Sequence, residues 1–131
     1  FLDRNRGAIR ARAAGRPVYY SPSGGTSGRT MASAVPTLAL ENAEQRARLF
    51  DEVAREVRAC GGDGRTTVNL FSAGRLYRSL EIVGELLERC GHSNLPLGAR
   101  ADDAEVFAAV ERYGADGLAG MSSRLVALAN A

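Results

Sequence analysis

The chain contains no lysine: all seventeen of its basic residues are arginine. Chemistry that needs a lysine amine from these residues is excluded, including Schiff-base catalysis and the usual phosphate-loop lysine. A single histidine and two cysteines, none of them clustered, offer no ligand set for a metal, so no metal site is expected. Cys60 and Cys90 each fall at the end of an expected helix and read as two buried free thiols of a reducing cytoplasm. No apolar run approaches the roughly 18–20 residues of a membrane span, and no signal-peptide pattern is visible; a cytoplasmic chain with no membrane partner is the expectation. The net charge is only +2, and the arginines are scattered without interleaved aromatics, which argues against nucleic acid as a partner.

What is present suits one globular domain: 131 residues, 45% apolar and 24% charged. Residues 1–16 carry Arg4, Arg6, Arg10, Arg12 and Arg16 among few large apolar groups and read as an exposed basic connector or a frayed helix. Residues 17–131 read as an α/β domain. Phe1 is not a natural start, and Ala131 follows a helical pattern with no stop signal. The expectation is a piece of a longer protein.

Strand and helix patterns alternate along the second part. Val18-Tyr-Tyr20 predicts a short strand, and Thr30–Val35 a returning one, punctuated by Pro36. Glu41–Cys60 has a helical period, with Phe50, Val53, Val57 and Cys60 on one face and Gly61-Gly62 as the stop. Thr66–Phe71 is β-branched and aromatic, hence a strand, followed by a turn at Ser72-Ala-Gly74. Leu76, Leu80, Val83, Leu87 and Cys90 form the stripe of a second helix closed by Gly91, and Asn94–Leu97 is a short strand that Pro96 marks as an edge or an end. Asp102 and Glu105 match a capping box, which explains the acids Asp102, Asp103 and Glu105 better than an acid/base pair does. The third helix turns Val106, Val110 and Tyr113 inward and stops at Gly114. Asp116–Met121 is a weak strand, and Ser122-Ser123 caps a last helix bearing Leu125 and Leu128. His92, in a turn after a helix, reads as a solvated surface residue. The alternation predicts a layered, mainly parallel sheet with right-handed crossover helices, whose ligands bind beyond the strands' carboxyl ends. Ser23–Arg29, Ser72–Arg75 and Ser122-Ser123 are the loops expected there.

The stretch 21–30, Ser-Pro-Ser-Gly-Gly-Thr-Ser-Gly-Arg-Thr, is the strongest motif. Gly24, Gly25 and Gly28 allow close backbone approach, while Ser23, Thr26 and Ser27 supply hydroxyls and Arg29 a fixed charge. Successive backbone N–H groups in such a loop make a nest for anions, so a polyphosphate is the expected ligand. A flexible Gly/Ser linker is the bland alternative. The P-loop pattern fails, because only three residues separate Gly24 from Gly28, no lysine follows, and no helix begins until about Glu41.

Ser23-Gly-Gly-Thr-Ser-Gly-Arg29 resembles the Ser/Thr/Gly-rich signature loop of the acyl-adenylate-forming (AMP-binding) enzymes, in which the loop joins two antiparallel strands around the ATP phosphates. The order that follows, through Asn69-Leu-Phe-Ser-Ala-Gly74 and Gly120-Met-Ser-Ser-Arg-Leu125, is similar to the phenylacetate–CoA ligase branch from about Pro17 to Ala131. Arg29 stands where the family has lysine, and Thr30 where it has proline. The resemblance implies part of the large N-terminal domain of an ATP-dependent ligase. Such an enzyme forms an acyl-adenylate from a carboxylic acid, then an acyl thioester with CoA or an acyl carrier protein. It implies phosphate binding by Ser23, Gly24, Gly25, Thr26, Ser27, Gly28 and Arg29, and an acyl pocket near Phe71, Ser72, Gly74, Met121 and Ser122, with ordinary core at a strand end as the alternative for Phe71 and Met121. The family's aromatic-Gly-x-Thr-Glu segment for adenine and Mg2+, its ribose aspartate and its C-terminal lysine are absent from these residues, so the 131 residues alone are expected to be inactive. A sheet cut here leaves an open edge, which implies the remainder of the domain or a second chain as a partner. The alternative is a non-catalytic α/β module, derived from that fold, that binds a nucleotide or a protein.

Overall fold

The computed structural model describes residues 16–22, 34–74 and 77–131. Its elements run β1 (Val18–Pro22), β2 (Ala34–Leu38), α1 (Ala39–Ala59), β3 (Thr66–Asn69), α2 (Ser79–Arg89), β4 (Ser93–Leu95), α3 (Asp103–Tyr113), β5 (Gly117–Ala119) and α4 (Ser122–Ala129). The chain is α/β, and its described strands lie in two sheets. Its contacts divide it into two compact units, the first holding β1, β2, α1 through Leu49 and Gly74 to Tyr77, the second everything described from Phe50 to Ala73 and from Arg78 onward.

In the first unit β1 and β2 pair antiparallel, from Val18↔Leu38 to Pro22↔Ala34. The returning strand is therefore observed at Ala34–Leu38, a few residues later than Thr30–Val35, and residues 30–33 lie outside the described ones. Pro36 does not end it: it sits inside β2, opposite Tyr20. In a two-stranded sheet every residue has one open side, where a missing N–H is tolerated.

The second unit is built on a parallel sheet in the order β4-β3-β5. β3 is its centre, and its alternation decides what lies on each face. Val68 and Leu70 point to one side and form the core with Val106 and Ala109 of α3 and Leu128 of α4. Each large apolar side chain buried there contributes about 1.5–3 kcal/mol. Thr67 and Asn69 point to the other side, which is polar. The Asn69 amide donates to the Leu80 carbonyl of α2, and Thr67 Oγ1 bonds His92 Nδ1 at 2.9 Å. Here α2 comes close at Gly84, where a Cβ would stand 2.8 Å from Asn94 Nδ2.

The helix ends follow their sequence signals, with exceptions. α1 is closed by Gly61 at φ 68°, with Gly61 N–H donating to Arg58 O and Gly62 N–H to Val57 O. At the start of α3 both halves of the capping box form, Glu105 N–H to Asp102 Oδ1 and Asp102 N–H to Glu105 Oε2. Tyr113, expected inward, is 56% exposed, its ring 5.8 Å from the Arg112 guanidinium carbon; Ala109 is the buried residue of that face instead. Cys60, expected to be buried, is exposed at the turn that closes α1, its N–H still bonded to the Glu56 carbonyl. Cys90 is buried as expected. Ser122 and Ser123 do not cap α4. The extended N-cap residue is Met121, and both serines lie within the first helical turn.

His92 is not a solvated residue. It is half-buried, and besides Thr67 it bonds the Gly62 carbonyl through Nε2 at 2.8 Å. Nearby, the Arg89 guanidinium bonds Asp51 at 2.5 Å and Glu85 at 3.2 Å, and Arg58 donates to the Arg89 carbonyl. These ties fasten the second half of α1 to the end of α2.

Candidate functional site

Three neighbouring strands of the second unit leave the sheet at one edge, the carboxyl end of β4-β3-β5. β3 is shorter than the expected Thr66–Phe71 for a local reason. Asn69 Oδ1 accepts from the Phe71 N–H at 3.2 Å, an Asx-type bond that turns the backbone out of the ladder. Phe71 and Ser72 thus lie past the strand, both half-buried, and the Ser72 carbonyl accepts from Leu80 N–H at the start of α2.

The segment after β4 runs alongside this exit. Gly98 N–H donates to Asn69 O at 2.9 Å and Ala99 N–H to Phe71 O at 3.1 Å, extending the β3–β4 contact beyond the paired residues. Leu97, expected within the strand, instead stands past its end and is 39% exposed. On the other side Leu70 N–H donates to Ala119 O, and Gly120 packs so close that a Cβ there would stand 3.3 Å from Leu70 Cβ. Met121 follows and is 63% exposed, so it is no part of the core. Its carbonyl accepts from the N–H groups of Arg124 and Leu125, which starts α4.

Of the residues expected at an acyl pocket, Phe71, Ser72, Met121 and Ser122 therefore come from adjacent strand exits of one sheet. Gly74 falls in the first unit, where at φ 78° its carbonyl accepts from Tyr77 N–H. The expected phosphate-binding residues Ser23, Gly24, Gly25, Thr26, Ser27, Gly28 and Arg29 lie outside the described residues, as does Arg75. What is described is their frame, the antiparallel strands that pair up to Pro22↔Ala34. β1 is not a strand of the parallel sheet, so 23–29 does not follow one of its strands.

Sequence reading missed Arg124. Its guanidinium bonds Asp103 Oδ1 at 2.5 Å through Nη1 and the Ala101 carbonyl at 2.9 Å through Nη2, joining the β5 exit to the segment after β4. Nothing in the local pattern flags a partner 21 residues away. Among the described residues no three His, Cys, Asp or Glu side chains gather to hold a metal ion, and no helix is long and apolar enough to cross a membrane. Searches against protein-family models, curated proteins and solved structures returned no match for this chain.

Proposed function

We propose that this chain is part of an ATP-dependent ligase that activates a carboxylic acid as its acyl-adenylate and passes the acyl group to a thiol, that of CoA or of a carrier protein. The observation that carries the reading is the β1–β2 pair. The glycine- and hydroxyl-rich residues 23–30 belong to the connection, 23–33, between strands that pair antiparallel up to Pro22↔Ala34. A connection of that composition between paired strands suits a polyphosphate. Further support comes from the order of elements after it and from the exposed Met121 beside the β3 exit, where the acyl group of the resembling enzymes would be expected.

In the first half-reaction a carboxylate oxygen attacks the α-phosphorus of ATP, the bond to the bridging oxygen breaks, and pyrophosphate leaves with that electron pair. In the second a thiolate attacks the acyl carbonyl and AMP leaves. Ser23, Thr26 and Ser27 would donate hydroxyl hydrogen bonds to the β- and γ-phosphates, and Gly24, Gly25 and Gly28 backbone N–H groups. Arg29 would offset the charge that builds on the leaving pyrophosphate. Its fork replaces the point charge of an ammonium, so it would engage two oxygens at once. Magnesium ligands and a mobile catalytic lysine would come from residues other than these 131.

Carboxylate-dependent ATP–pyrophosphate exchange by the natural full-length protein tests the reading. Exchange is expected with at least one acid from a panel of aryl and alkyl carboxylates, and the Thr26→Ala/Ser27→Ala pair should lower it on the order of 100-fold. Unchanged exchange in that variant removes the phosphate role. No exchange with any acid removes the ligase.

A further inference from the structure

We infer that Arg124 is the positioning residue of the acyl seat and that its two bonds decide which acids the seat accepts. The inference rests on the ligase reading above and assigns a role to a residue that the resemblance leaves without one.

An apolar residue stands past the end of each of the three strands: Phe71, half-buried, after β3, Leu97, 39% exposed, after β4, and Met121, 63% exposed, after β5. Two of the three junctions between these exits are made by main chain. Gly98 and Ala99 hold the β4 exit to Asn69 and Phe71, and Ala119 O holds the β5 exit to Leu70. β4 and β5 flank β3 and do not pair with each other, so the outer two exits have no backbone bond between them. Arg124 supplies a polar junction between them, beside the apolar core that α3 and α4 share. It stands in the first turn of α4, with its N–H on the Met121 carbonyl, and its side chain reaches the Ala101 carbonyl and Asp103.

The result is a closed ring. It runs from Phe71 through Ala99 and Ala101 to Arg124, then by Met121 and Ala119 back to Leu70. Apolar packing of Ala101 and Leu125 against the Val106–Leu128 core brings these segments together, and the Arg124 side chain, only 25% exposed and so with little room to swing, adds the polar bonds that fix the spacing of Met121 from Leu97. A planar fork reaches two acceptors at fixed separation, whereas a lysine ammonium holds them without fixing it. Asp103 is also the first residue of α3, beside the capping box, so the carboxylate end of the bond is itself held in place.

The test uses the natural full-length protein and its Arg124→Gln, Arg124→Lys and Asp103→Asn variants. The readout is kcat/KM in exchange for a small and a bulky acid, with KM for ATP alongside. Arg124→Gln should change the ratio between the two acids on the order of tenfold or more, because misplacement of about 1 Å at a binding site has effects of that size. Asp103→Asn should shift it in the same direction, Arg124→Lys less, and KM for ATP should stay within about twofold. Loss of folded protein alone lowers both acids equally and leaves the ratio where it was. Amide hydrogen exchange gives a readout independent of activity: Ala99, Ala101 and Arg124 should exchange faster in Arg124→Gln. A ratio unchanged in both Arg124→Gln and Asp103→Asn overturns the positioning role while the ligase reading stands. Absence of exchange in the unsubstituted protein overturns the ligase reading, and the acid selectivity with it. Should Arg124→Gln not fold, Arg124→Lys and Asp103→Asn carry the same comparison.

Discussion

His92 Nδ1 lies 2.9 Å from Thr67 Oγ1, while the opposite ring nitrogen lies 2.8 Å from the Gly62 carbonyl. A carbonyl only accepts, so Nε2 carries a hydrogen, and in the neutral ring Nδ1 accepts from the threonine hydroxyl. One side chain thus joins the turn after α1 to the polar face of β3. Replacing it with phenylalanine fills the space but leaves Thr67, which is 4% exposed, without that partner. His92→Phe should cost about 1–3 kcal/mol. Urea unfolding should show a lower midpoint at unchanged slope, and an unchanged midpoint would mean that the bonds add nothing.

The same hydroxyl fixes what Gly117 can become. A Cβ at Gly117 would stand 2.7 Å from Thr67 Oγ1 and 3.4 Å from its Cβ. Thr67 cannot turn away without giving up His92. Gly117→Ala should therefore destabilise by about 1–3 kcal/mol through overpacking, although alanine normally suits a strand better than glycine does. Adding Thr67→Ala removes the obstacle, so the double variant should lose less than the sum of the singles in a double-mutant cycle. Additive losses would contradict the contact.

These polar contacts mark where the sequence stops being readable. Helix stops at Gly61, Gly91 and Gly114 and the capping box at Asp102 and Glu105 are local patterns, and each is found where it was expected. Of the stripe expected on α2, Leu80, Val83 and Leu87 are half-buried and Cys90 is buried at the helix end, while Leu76 lies outside the described residues. Boundaries that depend on a side chain turning back on its own backbone were missed, as at Asn69, which ends β3 early. Partners far apart in sequence were also missed. His92 looks like a turn residue until β3 and β4 pair and bring Thr67 beside it. Arg124 looks like any helical arginine until the segment after β4 folds back on β3. For the candidate site the composition of 23–30 was legible, as was the position of Phe71 and Met121 at strand ends. The bonds that space the strand exits were not, because they form between loops and not along a repeat.

The N-cap of α3 offers a cleaner measurement, since Asp102 is exposed and packs against little. Asp102→Ala removes the acceptor for Glu105 N–H while leaving the helix sequence intact. The expected loss is about 1 kcal/mol, with Asp102→Asn or Asp102→Ser retaining most of it. Equal stability of the alanine and serine variants would show that the cap contributes nothing there.

The two cysteines should separate by reactivity and by pH. Cys60 is exposed, whereas Cys90 is buried, and burial pushes the Cys90 thiol up; the nearby positive charge of Arg58 works in the opposite direction but is the smaller influence. A thiol reagent near neutral pH should modify Cys60 quickly and Cys90 only as the fold opens, since the thiolate is the reacting form. The sign of the pH effect follows from proton counting. Above the ordinary thiol range the unfolded chain has released the Cys90 proton while the folded chain still holds it. Stability from this group is therefore complete below that range and falls as pH rises from the ordinary value to the raised one. Cys90→Ala should flatten that alkaline decline, even though the variant starts less stable for the side chain it lost. Denaturant midpoints across the alkaline range would show it: parallel declines in the two proteins would assign the effect to another group.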